Sequence, residues 1–371
     1  MRFGFLGLVL MAAGLAGCAD RSFTPLTPSA LSVGTPKTIF AATTREREED
    51  GTFGPDRSDS FSLLELTISI PPSHQPGQLE FAYDKPDPNR QFTLAERRVF
   101  DTPSEFKARL NGEMRKYPKG QREVTLFVHG FNSTQAETAF RAAQLTHDIQ
   151  VPGATVIYSW PSKGNPLGYA YDADSVIFAR DGLERLLRQI HLADVDRVVL
   201  VAHSIGSHLV METLRQIEID TPGWSSSHLG GVVLISPDLD VDVFRTQMSR
   251  IDPVPQPFVV FVSRKDNVLN LSQRLRGTYS RERLGNLSSI QAVSDLPIEI
   301  IDTTAFADGA GSQHFVPATS PALISMLNDA RRTAEAFGRD QVSSAQLLHG
   351  RVIEGQQATE LRLLPFNGGE G

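Results

Sequence analysis

Short apolar runs and amphipathic segments alternate along the middle of the chain. The apolar runs are rich in Val, Ile and Leu, and between most of them apolar residues recur at helical spacing. The runs occupy residues 124–128, 156–158, 198–201, 232–235, 259–262 and 298–301, and the helical segments residues 136–149, 173–190 and 207–217. Strands that are apolar on both faces and alternate with such helices are typical of a parallel sheet covered on both sides. The pattern predicts a doubly wound, mostly parallel α/β domain with helices on both faces.

The limits of this domain follow from where the alternation of apolar runs and amphipathic segments begins and ends. Residues 63–70 and 79–83 have the composition of two strands joined by a turn, and we place them at an antiparallel edge. Residues 321–337 predict a closing helix, which gives an α/β domain over residues 61–337. Residues 19–60 are rich in Ser, Thr, Pro and charge, and predict a flexible tether. Over residues 338–371 the periodic pattern is absent, which predicts a peripheral or partly disordered tail.

The first eighteen residues have the features of an export signal. Arg2 precedes an apolar stretch, residues 3–15, that is too short to span a bilayer as a helix. Cys18 is the only cysteine, and the sequence LAGC at residues 15–18 is similar to the lipobox of bacterial lipoproteins, in which the cysteine is acylated. The alternative is an ordinary signal peptide in which this cysteine is incidental. We expect a lipoprotein signal peptide over residues 1–18, lipidation of Cys18, and anchoring in the bacterial envelope at the periplasmic face of the outer membrane.

Composition excludes one broad class of function. The formal net charge is −7, so the chain lacks the basic excess with which nucleic-acid-binding proteins displace counterions from phosphates. It also lacks a glycine-rich loop that would cradle a phosphate group. We therefore expect no nucleic-acid partner.

The strongest chemical signal is a serine between an apolar run and a helix. Residues 198–201 lead into Ala202-His203-Ser204-Ile205-Gly206, and helical spacing follows at once. This small-x-Ser-x-Gly turn between strand and helix is the nucleophile elbow, which holds a serine in a strained, exposed conformation. A serine that merely caps the helix is the alternative. We predict Ser204 as the nucleophile.

An oxyanion hole and a general base must accompany such a serine. One backbone donor comes from the residue after the nucleophile, Ile205, and we expect Phe131, after Gly130 in the loop that follows residues 124–128, to supply the second. His314 lies in a glycine-rich loop after the last apolar run, where this fold carries its base. His129 precedes the serine, contrary to that order, and we interpret it as a structural histidine.

The acid that orients the base has several candidates. Asp266 follows the run 259–262, in the loop where this fold usually carries its acid, and is the residue we predict. Asp238, Asp240 and Asp242 follow the preceding run, and Asp302 ends the last one. Aspartates at such positions often cap helices instead. The spacing of the three also resembles a calcium loop, but Val243 and Ser249 stand where such a loop needs Gly and Glu, so no metal and no cofactor is predicted.

Several of these motifs together resemble a bacterial α/β-hydrolase family of the esterase/lipase superfamily whose function is unknown. They are FVHGFN at 127–132, YSWPS at 158–162, YDAD at 171–174, AHSIG at 202–206, SPDLD at 236–240, SRKD at 263–266 and the terminal His314. Ile205 stands where relatives usually carry Met, an apolar exchange that leaves the backbone donor in place. The resemblance implies the α/β-hydrolase fold and a Ser-His-Asp triad, and it implies no substrate.

The predicted function is acyl hydrolysis by a lipid-anchored serine hydrolase. Ser204, His314 and Asp266 form the catalytic set, and the partners are a small-molecule or lipid ester and the membrane. A lipoprotein that kept the fold but acts only by binding or scaffolding is the competing hypothesis, because a fold does not determine a function.

Overall fold

The computed structural model describes residue 21 and residues 23–275, 282–337 and 344–365. Over these ranges the chain alternates strands and helices, as the apolar rhythm predicts. The strands are β1 (Thr35–Arg47), β2 (Phe53–Ile70), β3 (Thr93–Phe100), β4 (Glu123–Val128), β5 (Ala154–Ser159), β6 (Arg197–His203), β7 (Leu229–Ile235), β8 (Phe258–Val262), β9 (Glu299–Asp302), β10 (Gly350–Glu354) and β11 (Thr359–Leu363). The α-helices are α1 (Pro103–Met114), α2 (Gln135–Asp148), α3 (Tyr169–Phe178), α4 (Arg180–His191), α5 (Gly206–Asp220), α6 (Trp224–His228), α7 (Val241–Met248), α8 (Asn267–Leu275), α9 (Val316–Thr319), α10 (Pro321–Phe337) and α11 (Ser344–Leu347). Short 3-10 helices span Pro28–Ser32, Leu284–Asn286, Ile290–Val293 and Thr304–Gly309.

The strands form one mixed sheet in the order β10-β11-β9-β8-β7-β6-β4-β5-β1-β2-β3. From β11 to β1 all neighbouring strands are parallel, whereas β10 and β2 run antiparallel to their neighbours. The predicted mostly parallel α/β sheet is therefore confirmed. Because the carboxyl ends of parallel strands meet at one edge, the loops after β4, β6, β8 and β9 converge there.

The two faces of the sheet carry separate apolar cores. Every residue of β4, β5 and β8 is buried, and alternate side chains point to opposite faces, which is why these strands read as continuous apolar runs. On one face Val124 and Leu126 pack with residues of α1, α4 and α5. On the other, Phe127 packs with residues of α2 and α10. Helices on both faces thus hold the strand ends, and the loops beyond them, in fixed positions.

The expected tether over residues 19–60 is wrong for most of its length. Residues 35–47 form β1, which pairs in parallel with β5, and β2 already begins at Phe53. Ile39 and Phe40 are fully buried within β1, and the charged stretch after them forms the end of the β1–β2 hairpin. The abundance of Thr and charge hides a four-residue apolar run at residues 39–42, flanked by threonines that favour strands.

The expected second strand of the antiparallel edge is also wrong. Residues 79–83 form no strand, and the edge partner of β2 is β3 instead. In the tail, β10 and β11 extend the sheet beyond β9, so residues 350–363 are peripheral but ordered. The segment is polar because it lies at the sheet's edge, where one flank faces solvent.

The predicted signal peptide, including Cys18, lies outside the described residues. Within the described ranges, no helix combines the length and the apolar character that crossing a bilayer would require. The lipid anchor therefore remains a prediction from the sequence.

Candidate active site

Ser204 lies in a strained turn between β6 and α5. Its φ angle is +54°, in the left-handed region that residues with a side chain rarely adopt, and its backbone N–H donates to the Ile235 carbonyl at 3.0 Å. Strain of this kind persists where the surrounding structure imposes it, and it concentrates at functional sites. The turn has the geometry that the sequence predicts for a nucleophile elbow.

Two glycines allow the neighbouring loop to approach this turn. A Cβ on Gly206 would stand 2.3 Å from the His129 carbonyl oxygen, and one on Gly130 would stand 2.9 Å from the Ser204 Cβ. Both distances are too short for a side chain, so the backbone after β4 packs directly on the serine turn. In the described part of the chain the N–H groups of Phe131 and Ile205 donate to no other protein group. They are thus available to a ligand beside Ser204.

The predicted base, His314, and the predicted acid, Asp266, are within hydrogen-bonding distance of each other. The Nδ1 atom of His314 lies 2.7 Å from Oδ2 of Asp266, which is fully buried. The other oxygen of Asp266 accepts the backbone N–H groups of Val268 (3.0 Å) and Leu269 (3.1 Å), so the carboxylate also caps α8. With both of its oxygens hydrogen-bonded, Asp266 is fixed in orientation and holds the His314 ring by one nitrogen.

The competing aspartates are engaged elsewhere. Asp240 caps α7 through the N–H groups of its first turn, in which the exposed Asp242 lies. Asp302 accepts the Thr304 N–H at 2.9 Å. Asp238 accepts hydrogen bonds from two hydroxyl groups, and so joins α3 to α8 in the wall of the cavity described below; the donors are Tyr169 (2.7 Å) and Ser272 (2.6 Å).

A cavity of about 260 Å³ opens beside the serine. Ser204 and His314 both line it, although in the described part of the chain no hydrogen bond joins them; such bonds often form only once substrate is present. Most of its surface is apolar. The remaining lining residues are Phe131, Asn132, Pro166, Tyr169, His203, Asp238, Val268, Leu271 and Ser272. The cavity therefore joins a hydroxyl, an imidazole and the loop of Phe131 to an apolar chamber.

Two further histidines adjoin the site in neutral form. Burial, with His314 nearby, lowers the pKa of His203 well below its usual value, and its Nε2 donates to the His314 backbone carbonyl at 3.1 Å. Burial, with Arg45 nearby, lowers the pKa of His129 to about 3. The His129 ring stacks on the buried Trp160 at 4.7 Å, and the Trp160 Nε1 donates to the His129 carbonyl at 2.8 Å. His129 thus braces the loop after β4, and Trp160 belongs to the core.

A buried carboxylate, Asp172 in α3, fixes the loop that carries Phe131. Asp172 accepts the Asn132 N–H at 3.2 Å, the Ser162 hydroxyl at 2.6 Å and the Lys163 N–H at 2.6 Å. Burial raises the pKa of this carboxyl, partly offset by these donors. The sequence motif at 171–174 includes Asp172, but the motif alone gives it no role, because its partners are distant in sequence.

A buried arginine from β1 supports the same loop. Arg45 is 2% exposed, and its guanidinium donates to Ser159 Oγ at 3.0 Å and to the carbonyls of Ser162 (3.0 Å) and Ser133 (2.7 Å). Burial lowers its pKa to about 10, so it stays charged at neutral pH. Sequence analysis missed Arg45 because it lies in the charged stretch that we interpreted as tether.

A second arginine holds the loop from outside. Arg21 donates to Asn132 Oδ1 at 2.7 Å and to the Gly164 carbonyl at 2.7 Å, and forms an ion pair with Glu137 at 2.7 Å. Asn132, directly after Phe131, has a φ of +58°, another strained position. Sequence analysis gave Arg21 no role, since nothing local marks its partners.

Among the described residues, one cluster of potential metal ligands lies away from this cavity. His74, His147 and Asp148 each place a ligand atom within 4.8 Å of the others. Both oxygens of Asp148 are already used, one by His74 Nε2 at 2.6 Å and the other by the Gly77 N–H at 2.7 Å. The hydrogen bonds of this cluster therefore join the segment after β2 to the end of α2.

Comparisons with known proteins give a family match and several solved structures of low similarity. Similar solved structures include an arylesterase (12% identity, 88% of this chain and 96% of that one covered, TM-score 0.32) and esterase B from Lactobacillus rhamnosis (12%, 90% and 97%, 0.34). Another comes from work on the lipolytic enzymes LipS and LipT (14%, 60% and 95%, 0.35). A search of the curated proteins finds no match. Residues 102–331, more than half of the chain, match the family described as alpha/beta hydrolase of unknown function, and the chain belongs to that family.

Proposed function

We propose that this hydrolase is a serine esterase that cleaves acyl esters and is anchored to the bacterial envelope by a lipid on Cys18. The observation that carries the proposal is the convergence of three groups from distant parts of the chain. A strained Ser204 and the His314–Asp266 pair, joined at 2.7 Å, meet at one apolar cavity. A scaffolding protein would have no need for a buried carboxylate aimed at a histidine beside such a serine.

The reaction begins with attack by the Ser204 hydroxyl on the ester carbonyl. His314 takes the hydroxyl proton, and Asp266 holds the ring and stabilises the imidazolium. The N–H groups of Phe131 and Ile205 bind the oxyanion. His314 then gives its proton to the leaving alkoxide, and an acyl-serine remains. Water, activated by His314, cleaves that ester and releases the acid, which returns the serine to its starting state.

A series of p-nitrophenyl esters of increasing acyl length tests the catalytic part of this proposal. The wild-type chain should hydrolyse members of the series, and Ser204→Ala should lose turnover by several orders of magnitude. Ser207→Ala is the matched control, because Ser207 is buried three residues further on in α5. Equal turnover by wild type and Ser204→Ala would refute the assignment, and absence of turnover by wild type throughout the series would favour a scaffolding role.

The anchor is tested separately by the mass of the mature amino terminus. We expect an acylated cysteine at Cys18 and recovery of the protein in the detergent phase, because acyl chains bind bilayers in proportion to their buried methylene groups. Cys18→Ser should move the protein to the aqueous phase. An unmodified terminus at another residue would refute lipidation.

A further inference from the structure

The amino-terminal end of the described chain is bound to a residue that lines the catalytic cavity. Arg21 is held there by Asn132, which lines the cavity, and by the Gly164 carbonyl. It also binds Glu137 and Tyr83, so that its guanidinium bridges three separate segments of the chain. The side chain keeps 30% of its surface exposed, and the ion pair with Glu137 is therefore only partly screened by solvent. Arg21 thus fixes the point at which the preceding residues join the rest of the chain.

Cys18 is only three residues before Arg21. Consecutive Cα atoms are 3.8 Å apart and an extended chain advances about 3.5 Å per residue, so the two Cα atoms are at most about 11 Å apart. This limit holds whatever conformation the two intervening residues adopt. A lipid on Cys18 would therefore bring the bilayer surface to the Asn132 and Gly164 side of the cavity.

Several residues at the edge of the cavity are apolar and exposed. We define the mouth rim as Pro166, Leu167, Val268 and Leu271; Pro166, Val268 and Leu271 line the cavity, and Leu167 follows directly. Leu167 is 94% exposed, Leu271 54% and Val268 47%. Gly164, which accepts a hydrogen bond from Arg21, is two residues before Pro166. Adjacent exposed apolar side chains mark surfaces that bind a partner or a membrane.

We infer that the mouth rim faces the bilayer and that the substrate is an acyl ester of a membrane lipid. The inference rests on the proposed function, because it needs both the Cys18 anchor and the Ser204 site. The short reach from anchor to Arg21 identifies the bilayer, and not a second copy or a soluble protein, as the occupant of the rim. A lipid ester enters the cavity with its acyl chain against Phe131 and Leu271, and hydrolysis releases a fatty acid and an alcohol.

The first test measures how deeply the rim enters the membrane. In the full chain Cys18 is acylated under the proposal, so Leu167→Cys supplies the only free thiol for a fluorescent label. Leu192→Cys is the matched control: Leu192 is 62% exposed and follows α4 at the amino ends of the strands, opposite the cavity. In vesicles of phosphatidylethanolamine and phosphatidylglycerol that contain doxyl lipid, the label at 167 should be quenched several-fold more than the label at 192. Equal quenching, or more at 192, would overturn the inference.

The second test measures hydrolysis of the same vesicle lipids. Leu167→Glu should lower fatty-acid release about tenfold, the rate equivalent of failing to bury one leucine side chain. Its turnover of p-nitrophenyl butyrate in solution should stay within about twofold, because Leu167 lies outside the cavity lining. Leu192→Glu should change neither activity. If Leu167→Glu and Leu192→Glu release fatty acid equally from vesicles, the rim does not face the bilayer.

The two tests separate this inference from the proposed function. Turnover of the soluble ester and the mass of the Cys18 peptide report on the serine esterase and its anchor. Quenching and vesicle hydrolysis report on orientation and substrate class. Normal soluble turnover and an acylated Cys18 with unselective quenching would overturn the inference alone, whereas an unmodified Cys18 would overturn both it and the anchor.

Discussion

Replacing Asp266 by asparagine tests the contact on which the proposed chemistry depends. The carboxylate accepts the His314 Nδ1–H at 2.7 Å, and the side chain is fully buried. An amide fits the same space but presents either an NH₂ group, which forces the ring into the wrong tautomer, or a neutral oxygen that cannot stabilise the imidazolium. We expect kcat for a chromogenic ester to fall by a factor on the order of 10⁴, which corresponds to about 5.5 kcal/mol of transition-state stabilisation.

The fold should tolerate this substitution. The other oxygen of Asp266 caps α8 by accepting the N–H groups of Val268 and Leu269, and an asparagine oxygen accepts them equally well. The free energy of unfolding should therefore change by no more than about 1 kcal/mol. The matched control is Asp302→Asn, because Asp302 is also a buried strand-end aspartate that caps a turn. Near-normal turnover by Asp266→Asn, or an equal loss in Asp302→Asn, would refute the reasoning.

Three further predictions concern stability. Arg45→Ala should lower the free energy of unfolding in urea by about 3–5 kcal/mol, because it leaves buried acceptors around Ser162 unpaired; a change below 1 kcal/mol would contradict this. The pKa of His129 is about 3 in the folded chain and about 6.5 when unfolded, so between these values the unfolded state binds more protons, and stability falls by up to about 1.4 kcal/mol for each pH unit below 6.5. His129→Gln should make that dependence less steep, with the part due to the buried His203 remaining, and an unchanged slope would count against it. Ser204→Ala should leave the melting temperature equal or higher, since no core volume is lost; a marked drop would point to a structural serine.

The central part of the fold was predictable because its strands are buried on both faces. Covered strands such as β4 and β8 must be continuously apolar, and the helices between them must be amphipathic, so period and length identify both. The outer parts were not predictable in this way. β1 contains a short apolar run among threonines, and β10 is exposed at the sheet edge, so neither shows a strong pattern.

The same distinction holds for the candidate site: some of its residues could be predicted from the local sequence and others could not. Ser204 and His314 follow strands in a fixed order along the chain, so local context was enough to make both of them candidates. Arg45 and Asp172 stabilise the loop of Phe131 through partners up to 117 residues away, and no local pattern encodes such contacts. Competition between Asp266 and the other strand-end aspartates likewise needed coordinates, because each of them follows a strand.

The central claim is that Ser204 is a nucleophile activated by its surroundings. A fluorophosphonate reacts covalently with such a serine and spares ordinary hydroxyl groups, so its site of attachment reports activation directly. After labelling of the full-length chain and peptide mass spectrometry, we expect one phosphonyl adduct, on Ser204, that is absent from Ser204→Ala and strongly reduced in His314→Ala. An unlabelled chain with native stability, or an adduct that persists in Ser204→Ala, would contradict the claim.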